Sequence, residues 1–225
     1  FNNPGGVMFT ENQIKCLSAP LDSKVVKRNP KGFDYVEGWH AIAEANRIFG
    51  FDSWDRETLE MRQLGEPEQD QKGNWRVAYH CCIKIRVRAG DHTIVREGNG
   101  YGSGILKDIR DAHESAIKEA ETDAMKRALM TFGNPFGLAL YDKEKTNVAS
   151  AEQIEAERRA EAYMAIARAA ITSLKAEDSE IARKWWSEEK EARRAAGLQK
   201  AEIDELTRLL SAKFNSKQQT EKEVA

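Results

Sequence analysis

Trp75-Arg-Val-Ala-Tyr-His-Cys-Cys-Ile-Lys-Ile-Arg-Val-Arg88 is the stretch that decides the fold. Its odd positions are Trp75, Val77, Tyr79, Cys81, Ile83, Ile85 and Val87, and its even positions include Arg76, His80, Lys84, Arg86 and Arg88. A period of two over this length predicts a strand with one face on a core and the other outward. The outward charges share one sign. An ordinary solvated sheet face normally mixes signs, so this strand reads as facing a polyanion.

Ala89-Gly-Asp91 is a turn, and His92 to Glu97 pairs back as the next strand. The cluster Gly98-Asn-Gly-Tyr-Gly-Ser-Gly104 then reads either as a phosphate cradle or as a bend that lets backbones approach closely. It lacks the lysine and hydroxyl of a nucleotide-binding P-loop. Residues 107–132 predict a long helix. Ile109, Ala112, Ala116, Ala120, Ala124 and Ala128 form a small-residue stripe on it, suited to lying close to a sheet. Gly133 and Pro135 end it. Lys126 and Arg127 fall in its last turns, where cations suit the helix dipole, and Asp123 stands four residues before Arg127 as a local ion-pair partner. The acidic residues of this helix are spread around it and interleaved with lysines, which argues against a two-metal nuclease site.

Upstream, Tyr35 to Phe49 has helical spacing and ends at Gly50. Trp54 to Leu64 reads as a strand, and Gly65 to Gly73 as a loose hairpin loop. The fold class expected is α+β: a helix, a three-stranded antiparallel sheet and a long packing helix (a β-β-β-α core), followed by a small all-α C-terminal unit. The boundary falls near Ser150, where the sequence turns rich in Ala, Glu, Lys and Arg. Residues 1–7 read as a non-native leader ahead of Met8, 8–150 as the main domain, 151–214 as the helical domain and 215–225 as a disordered tail. Helices are expected over 152–174, 178–196 and 200–214, with Ile154, Tyr163, Ile166, Ile181, Leu206 and Leu210 among the apolar positions. Adjacent Trp185 and Trp186 are hard to seat on one small core. A partner-docking or DNA-contacting role therefore stands beside a self-contained bundle.

The 225 residues hold 35 basic and 37 acidic side chains, a formal net charge of -2, so no uniformly basic nucleic-acid binder is implied. A local basic stripe remains compatible with that balance. Three cysteines, Cys16, Cys81 and Cys82, make no disulfide framework and suit the reducing cytoplasm. The four histidines show no metal-ligand spacing. No apolar run is long enough to span a membrane. Neither a catalytic constellation, a metal nor a cofactor is expected, and the chain does not read as an enzyme.

Several motifs in order resemble the Rad-fifty-two family of single-strand annealing proteins, taken here as of bacterial or phage type. They are Tyr35-Val-Glu-Gly-Trp39, Ala43-Glu-Ala-Asn-Arg-Ile-Phe-Gly-Phe51 with Trp54, Arg96-Glu-Gly-Asn-Gly-Tyr-Gly102, Lys118-Glu-Ala-Glu-Thr-Asp-Ala-Met-Lys-Arg-Ala-Leu129, Phe132-Gly-Asn134, Gly137 and Asp142-Lys143. The resemblance runs from about Leu21 to Lys145. It implies an ATP-independent protein that forms a homo-oligomeric ring or helical assembly, binds single-stranded DNA and anneals complementary strands in recombination and double-strand-break repair. It assigns an inner DNA groove to Lys126 and Arg127, to Tyr35, and to a basic residue upstream, Arg28 or Lys27. It assigns an outer DNA site to Arg88, Lys107 and Lys143. Where eukaryotic members carry a third basic residue this chain has Met130, so Arg76, Lys84 or Arg86 is expected to complete the inner set. The expected partners are single-stranded DNA and the annealed duplex intermediate. A single-stranded DNA-binding protein or recombinase docking on the C-terminal helices is left open. The alternative reading is a double-stranded RNA-binding module with an α-β-β-β-α fold, which would select A-form duplex by shape.

Overall fold

The computed structural model describes residues 8–30, 32–175 and 178–220, with side chains through residue 214. The leader expected over 1–7 and residues 221–225 of the expected tail lie outside the described residues. The chain separates into two compact units, 1–149 and 150–225.

The first unit begins with helix α1 (Glu11–Ser18), started by a capping box in which the Thr10 hydroxyl and the Gln13 side chain satisfy each other's backbone amides. Strand β1 (Leu21–Asp22) leads through a 3-10 turn to β2 (Val26–Arg28), which pairs antiparallel with β3 (Asp34–Val36). Helix α2 (Gly38–Phe49) follows. Tyr35, expected to open that helix, is therefore on a strand. The ladder to Val26–Arg28 uses its backbone, and extended geometry persists to Glu37 at ψ 150.

Strands β4 (Trp54–Gln63), β5 (Glu68–Gln69), β6 (Trp75–Ala89) and β7 (His92–Leu106) form the main sheet, with β6 paired to the other three. The alternation of β6 holds. Cys81, Ile83, Ile85 and Val87 are fully buried, the branched residues each worth about 1.5–3 kcal/mol of transfer free energy. The architecture is mixed α+β, but less clean than a three-stranded core. The main sheet gains β5, β2 and β3 make a separate ribbon, and β8 (Val148–Ala149) pairs parallel with β1.

The glycine cluster is not a bend. It lies inside β7, which runs on to Leu106, and α3 (Ile109–Met130) turns back along it. A Cβ on Gly98, Gly100, Gly102 or Gly104 would fall under 3.0 Å from the carbonyl oxygen of Ala124, Ala120, Ala116 or Ala112 respectively. The match is metric: two strand residues advance about 6.8 Å and four helix residues about 6.0 Å. A glycine ladder therefore meets an alanine ladder along most of the helix. Its outer edge is also tied. The carboxylates of Glu119 and Asp123 accept the backbone N–H groups of Ser103 and Tyr101 at 2.7 and 3.3 Å. Beyond α3, Phe132 and Phe136 join Phe49 and Phe9 in an aromatic cluster, with the Phe49 and Phe132 centroids 5.1 Å apart.

The second unit holds α4 (Ala151–Ser173), α5 (Ser179–Glu188), α6 (Lys190–Ala196) and α7 (Lys200–Thr220). The helix expected over 178–196 is broken at Glu189, and the last helix continues six residues past the expected end at 214. Met164, Ala167, Ile171 and Leu206 form its core, against which both Trp185 and Trp186 pack. Ile166 and Ile181, expected inside, are exposed.

Candidate nucleic-acid interface

The β2–β3 ribbon is too short to stand alone and is held by a small core of Leu21, Val36 and Ala139. That places β3 beside the C-terminal turns of α3. Between them, with the 3-10 turns Asn134–Phe136 and Leu138–Tyr141, lies an open groove of about 840 Å³. Gly137, at φ 96, makes the sharp turn between the two 3-10 segments.

Four cations line the groove: Arg28, Lys126, Arg127 and Lys145. Lys126 lies over the Tyr35 ring, 5.4 Å from its centroid. Arg127 donates from Nε to Asp123 at 3.0 Å, the intrahelical pair that the spacing predicts. Because Asp123 is also bonded to Tyr101 N–H, this guanidinium is anchored through the helix to the sheet edge. Arg28 Nε donates to Gly32 O at 3.1 Å and stands 3.8 Å from Asp34. Lys145 Nζ donates to the same Asp34 carboxylate. This bond, with the charges of Lys145 and Arg28, holds the Asp34 carboxyl below the usual carboxylate range despite some desolvation. Asp34, Glu119 and Asp123 are the acids of the groove. Phe33 and Tyr141, 67% and 64% exposed, offer flat rings to whatever enters.

Of the expected inner set, the structure gathers Lys126, Arg127, Tyr35 and Arg28. Lys27 is opposite Tyr35 in the ribbon but does not line the groove. Arg76, Lys84 and Arg86 sit at positions of β6 that face away from α3, so the sheet stands between them and the groove. The single-sign face expected for β6 is not single-sign in the sheet. Arg86 pairs with Asp55 at 3.0 Å and with Glu57, Arg88 with Asp55 at 3.1 Å, and Lys84 with Glu97 at 3.7 Å. The hydrogen bonds of Asp55, then Glu57, strengthen proton binding by Arg86. Strands β4 and β7 supply the acids that β6 read alone cannot show.

The outer set is dispersed within one chain. Arg88 is at the tip of the β6–β7 hairpin, while Lys107 follows Leu106 at its far end, about 40 Å away along the strands. Lys107 donates to the Lys72 carbonyl, and Lys143 is exposed beyond the second 3-10 turn. Sequence reading missed Lys145, Asp34, Phe33 and Tyr141. The Asp142-to-Thr146 spacing signals a turn around Lys145, but only the β1–β8 pairing brings that turn to Asp34.

No helix among the described residues is long and apolar enough to cross a membrane. Residues 11–159 match the sequence profile of the family described as Rad52/22 family double-strand break repair protein. The chain is 40% identical over 132 residues to the DNA repair and recombination protein RAD52 of Eremothecium gossypii, covering 58% of this chain and 29% of that protein. It is 38% identical over 133 residues to the DNA repair and recombination protein rad22 of Schizosaccharomyces pombe, covering 56% and 28%. It is 35% identical over 132 residues to RAD52 of Saccharomyces cerevisiae, covering 58% and 27%. The matched stretch spans less than a third of each relative. These relatives are fungal and lend no support to the expected bacterial or phage type. The match across most of the groove-bearing unit establishes that the chain belongs to the Rad52/22 family of double-strand break repair proteins.

Proposed function

We propose that this chain binds single-stranded DNA in the groove between β3 and the end of α3 and anneals complementary strands, without ATP, in recombination and double-strand-break repair. The observation that supports it most is the convergence of Lys126, Arg127, Arg28 and Lys145 with Tyr35, Phe33 and Tyr141 in one open groove. Cations that neutralise a backbone beside exposed rings that stack on bases are what sequence-tolerant single-strand binding needs. Annealing breaks no covalent bond, so the reading needs no catalytic group, metal or cofactor. It places DNA-repair work, the task printed in the relatives' names, in this segment.

Assembly is part of the proposal. Arg88 and Lys107, about 40 Å apart along the strands, lie too far apart to hold one short strand in a single chain. In a ring or helix of copies these two and Lys143 would recur as a track around the circumference. Three thiols without disulfide partners suit a reducing cytoplasm.

Charge reversal at both Lys126 and Arg127 is expected to abolish binding of labelled single-stranded DNA without changing oligomer size. Unchanged binding would sink the site. Competition with duplex RNA separates this reading from an A-form duplex binder, which would prefer the RNA.

A further inference from the structure

Met130 lines the groove one turn beyond Lys126, at the position where the resemblance leads one to expect a third cation. Lys145 lines the same groove from the segment after the second 3-10 turn. Among the described residues it is the one non-glycine with positive φ, at 51°. Its turn is closed by the Asp142 carboxylate, which accepts from the Glu144 and Thr146 amides at 3.1 Å each and from the Thr146 hydroxyl at 2.6 Å. The pairing of Val148 with Leu21 pins the turn's base. A side chain on so defined a backbone is aimed. It reaches Asp34, which already has Arg28 at 3.8 Å, so two cations share one carboxylate at this end of the groove.

We propose that Lys145 supplies the phosphate-binding charge that Met130 does not, joining Lys126, Arg127 and Arg28 in the groove, with Asp34 holding its ammonium in place until a phosphate takes it over. The proposal rests on reading the groove as the single-strand site. Exchanging a carboxylate for a phosphate oxygen keeps a charge-assisted bond, and the DNA sheds a counterion. Asp34 keeps the Arg28 guanidinium 3.8 Å away at its Nε, and the fork's remaining donors can still serve a phosphate, so no carboxylate is left stranded.

The test is anisotropy of a labelled oligothymidylate with the full chain across about 0.05–0.2 M salt. Lys145→Asn removes the charge and suits a left-handed backbone. It is expected to weaken binding about fivefold or more at the lower salt, less at the upper, and to lower the slope of log K against log salt by about 0.7 per protomer bound. Adding Met130→Lys to it restores most of the loss. Arg110→Gln, roughly 24 Å back along α3, removes an equal charge and leaves the slope as it was. If Lys145→Asn keeps the full slope while Lys126→Ala/Arg127→Ala loses binding, Lys145 has no such role and the groove stands. If the double variant also binds normally, the groove reading itself fails. Lys145→Arg should bind nearly as wild type; equal loss in the Arg and Asn variants would mean that the turn matters and the charge does not.

Discussion

The Lys126 ammonium stands 5.4 Å from the centroid of the Tyr35 ring, so the cation that α3 presents to the groove is placed by a strand ninety residues earlier in the chain. A cation over a ring is restrained without being neutralised, whereas Arg127 is bound to Asp123. Lys126 is the cation of the pair that can reach a phosphate without first giving up a carboxylate.

It follows that Tyr35→Phe and Tyr35→Ala should differ. The phenylalanine keeps the ring face and should bind single-stranded DNA within about twofold of wild type. The alanine loses a contact worth about 0.5–1 kcal/mol at an exposed site, a two- to fivefold loss of affinity. Titration of both variants by anisotropy checks this. Equal weakening in the two would assign the effect to the hydroxyl instead.

The glycine ladder makes a sharper prediction. Gly100→Ala would drive a Cβ into the backbone of Ala120 and Ala124, where neither partner has a side chain to move aside. Separation of β7 from α3 should cost about 3 kcal/mol or more and leave little folded protein at 37 °C. Gly90→Ala, at φ 59 in the hairpin tip with nothing within 4 Å, should cost only about 1 kcal/mol. Thermal melts of the two proteins decide it.

How much of this was legible depends on whether the partner of a pattern lies near it in sequence. The alternation from Trp75 to Val87 and the alanine stripe from Ala112 to Ala128 each hold their own period, and β6 and α3 follow directly. The glycines repeat every two residues, also a strand period, but the sequence by itself offers either a phosphate cradle or a bend of close backbone approach, and of these only the close approach is found, inside a strand. Only the facing alanines explain why glycine is required here. The charge on β6 misled for a similar reason. Arg86 reads as free until Asp55 and Glu57 arrive from a strand some thirty residues away. Lys126 and Arg127 were legible through the resemblance. Lys145 was not, because its place depends on a two-residue parallel pairing that leaves no periodic trace.

Acid should loosen the first unit within a definable window. Asp108 caps α3, accepting the Arg110 amide at 2.8 Å and its guanidinium at 2.9 Å. The Arg110 side chain chiefly, then its amide, lowers the Asp108 carboxyl to about 2. A carboxyl depressed on folding contributes its full stability above its unfolded value, near 4. That contribution is lost as pH falls through the folded value. The thermal midpoint should therefore drop between about pH 4 and pH 2. Asp108→Asn keeps a capping side chain but cannot ionise, so its curve should be flatter there. Identical curves would show that other carboxyls, such as Asp34 or Asp142, govern acid sensitivity.

The helical unit turns on one arginine. Arg193 is only 9% exposed, its guanidinium lies 3.8 Å from the Trp186 ring centroid, and it donates to the Trp186 carbonyl at 2.7 Å. Next to it, the Tyr163 hydroxyl donates to Glu189 at 3.0 Å, where the helix expected over 178–196 breaks. Both tryptophans, neighbours on α5, pack against the one core of Met164, Ala167, Ile171 and Leu206, so their adjacency no longer argues for a docked partner. Arg193→Ala removes a stacked cation and leaves a half-buried carbonyl without its donor, a loss of about 2 kcal/mol. Amide hydrogen exchange across α4 to α7 should then quicken by roughly thirtyfold, with the amides of β6 and α3 in the other unit as the internal reference. Arg193→Lys should recover little, because an ammonium cannot stack as a planar fork does. Full recovery by lysine would show that only a positive charge is needed at this position.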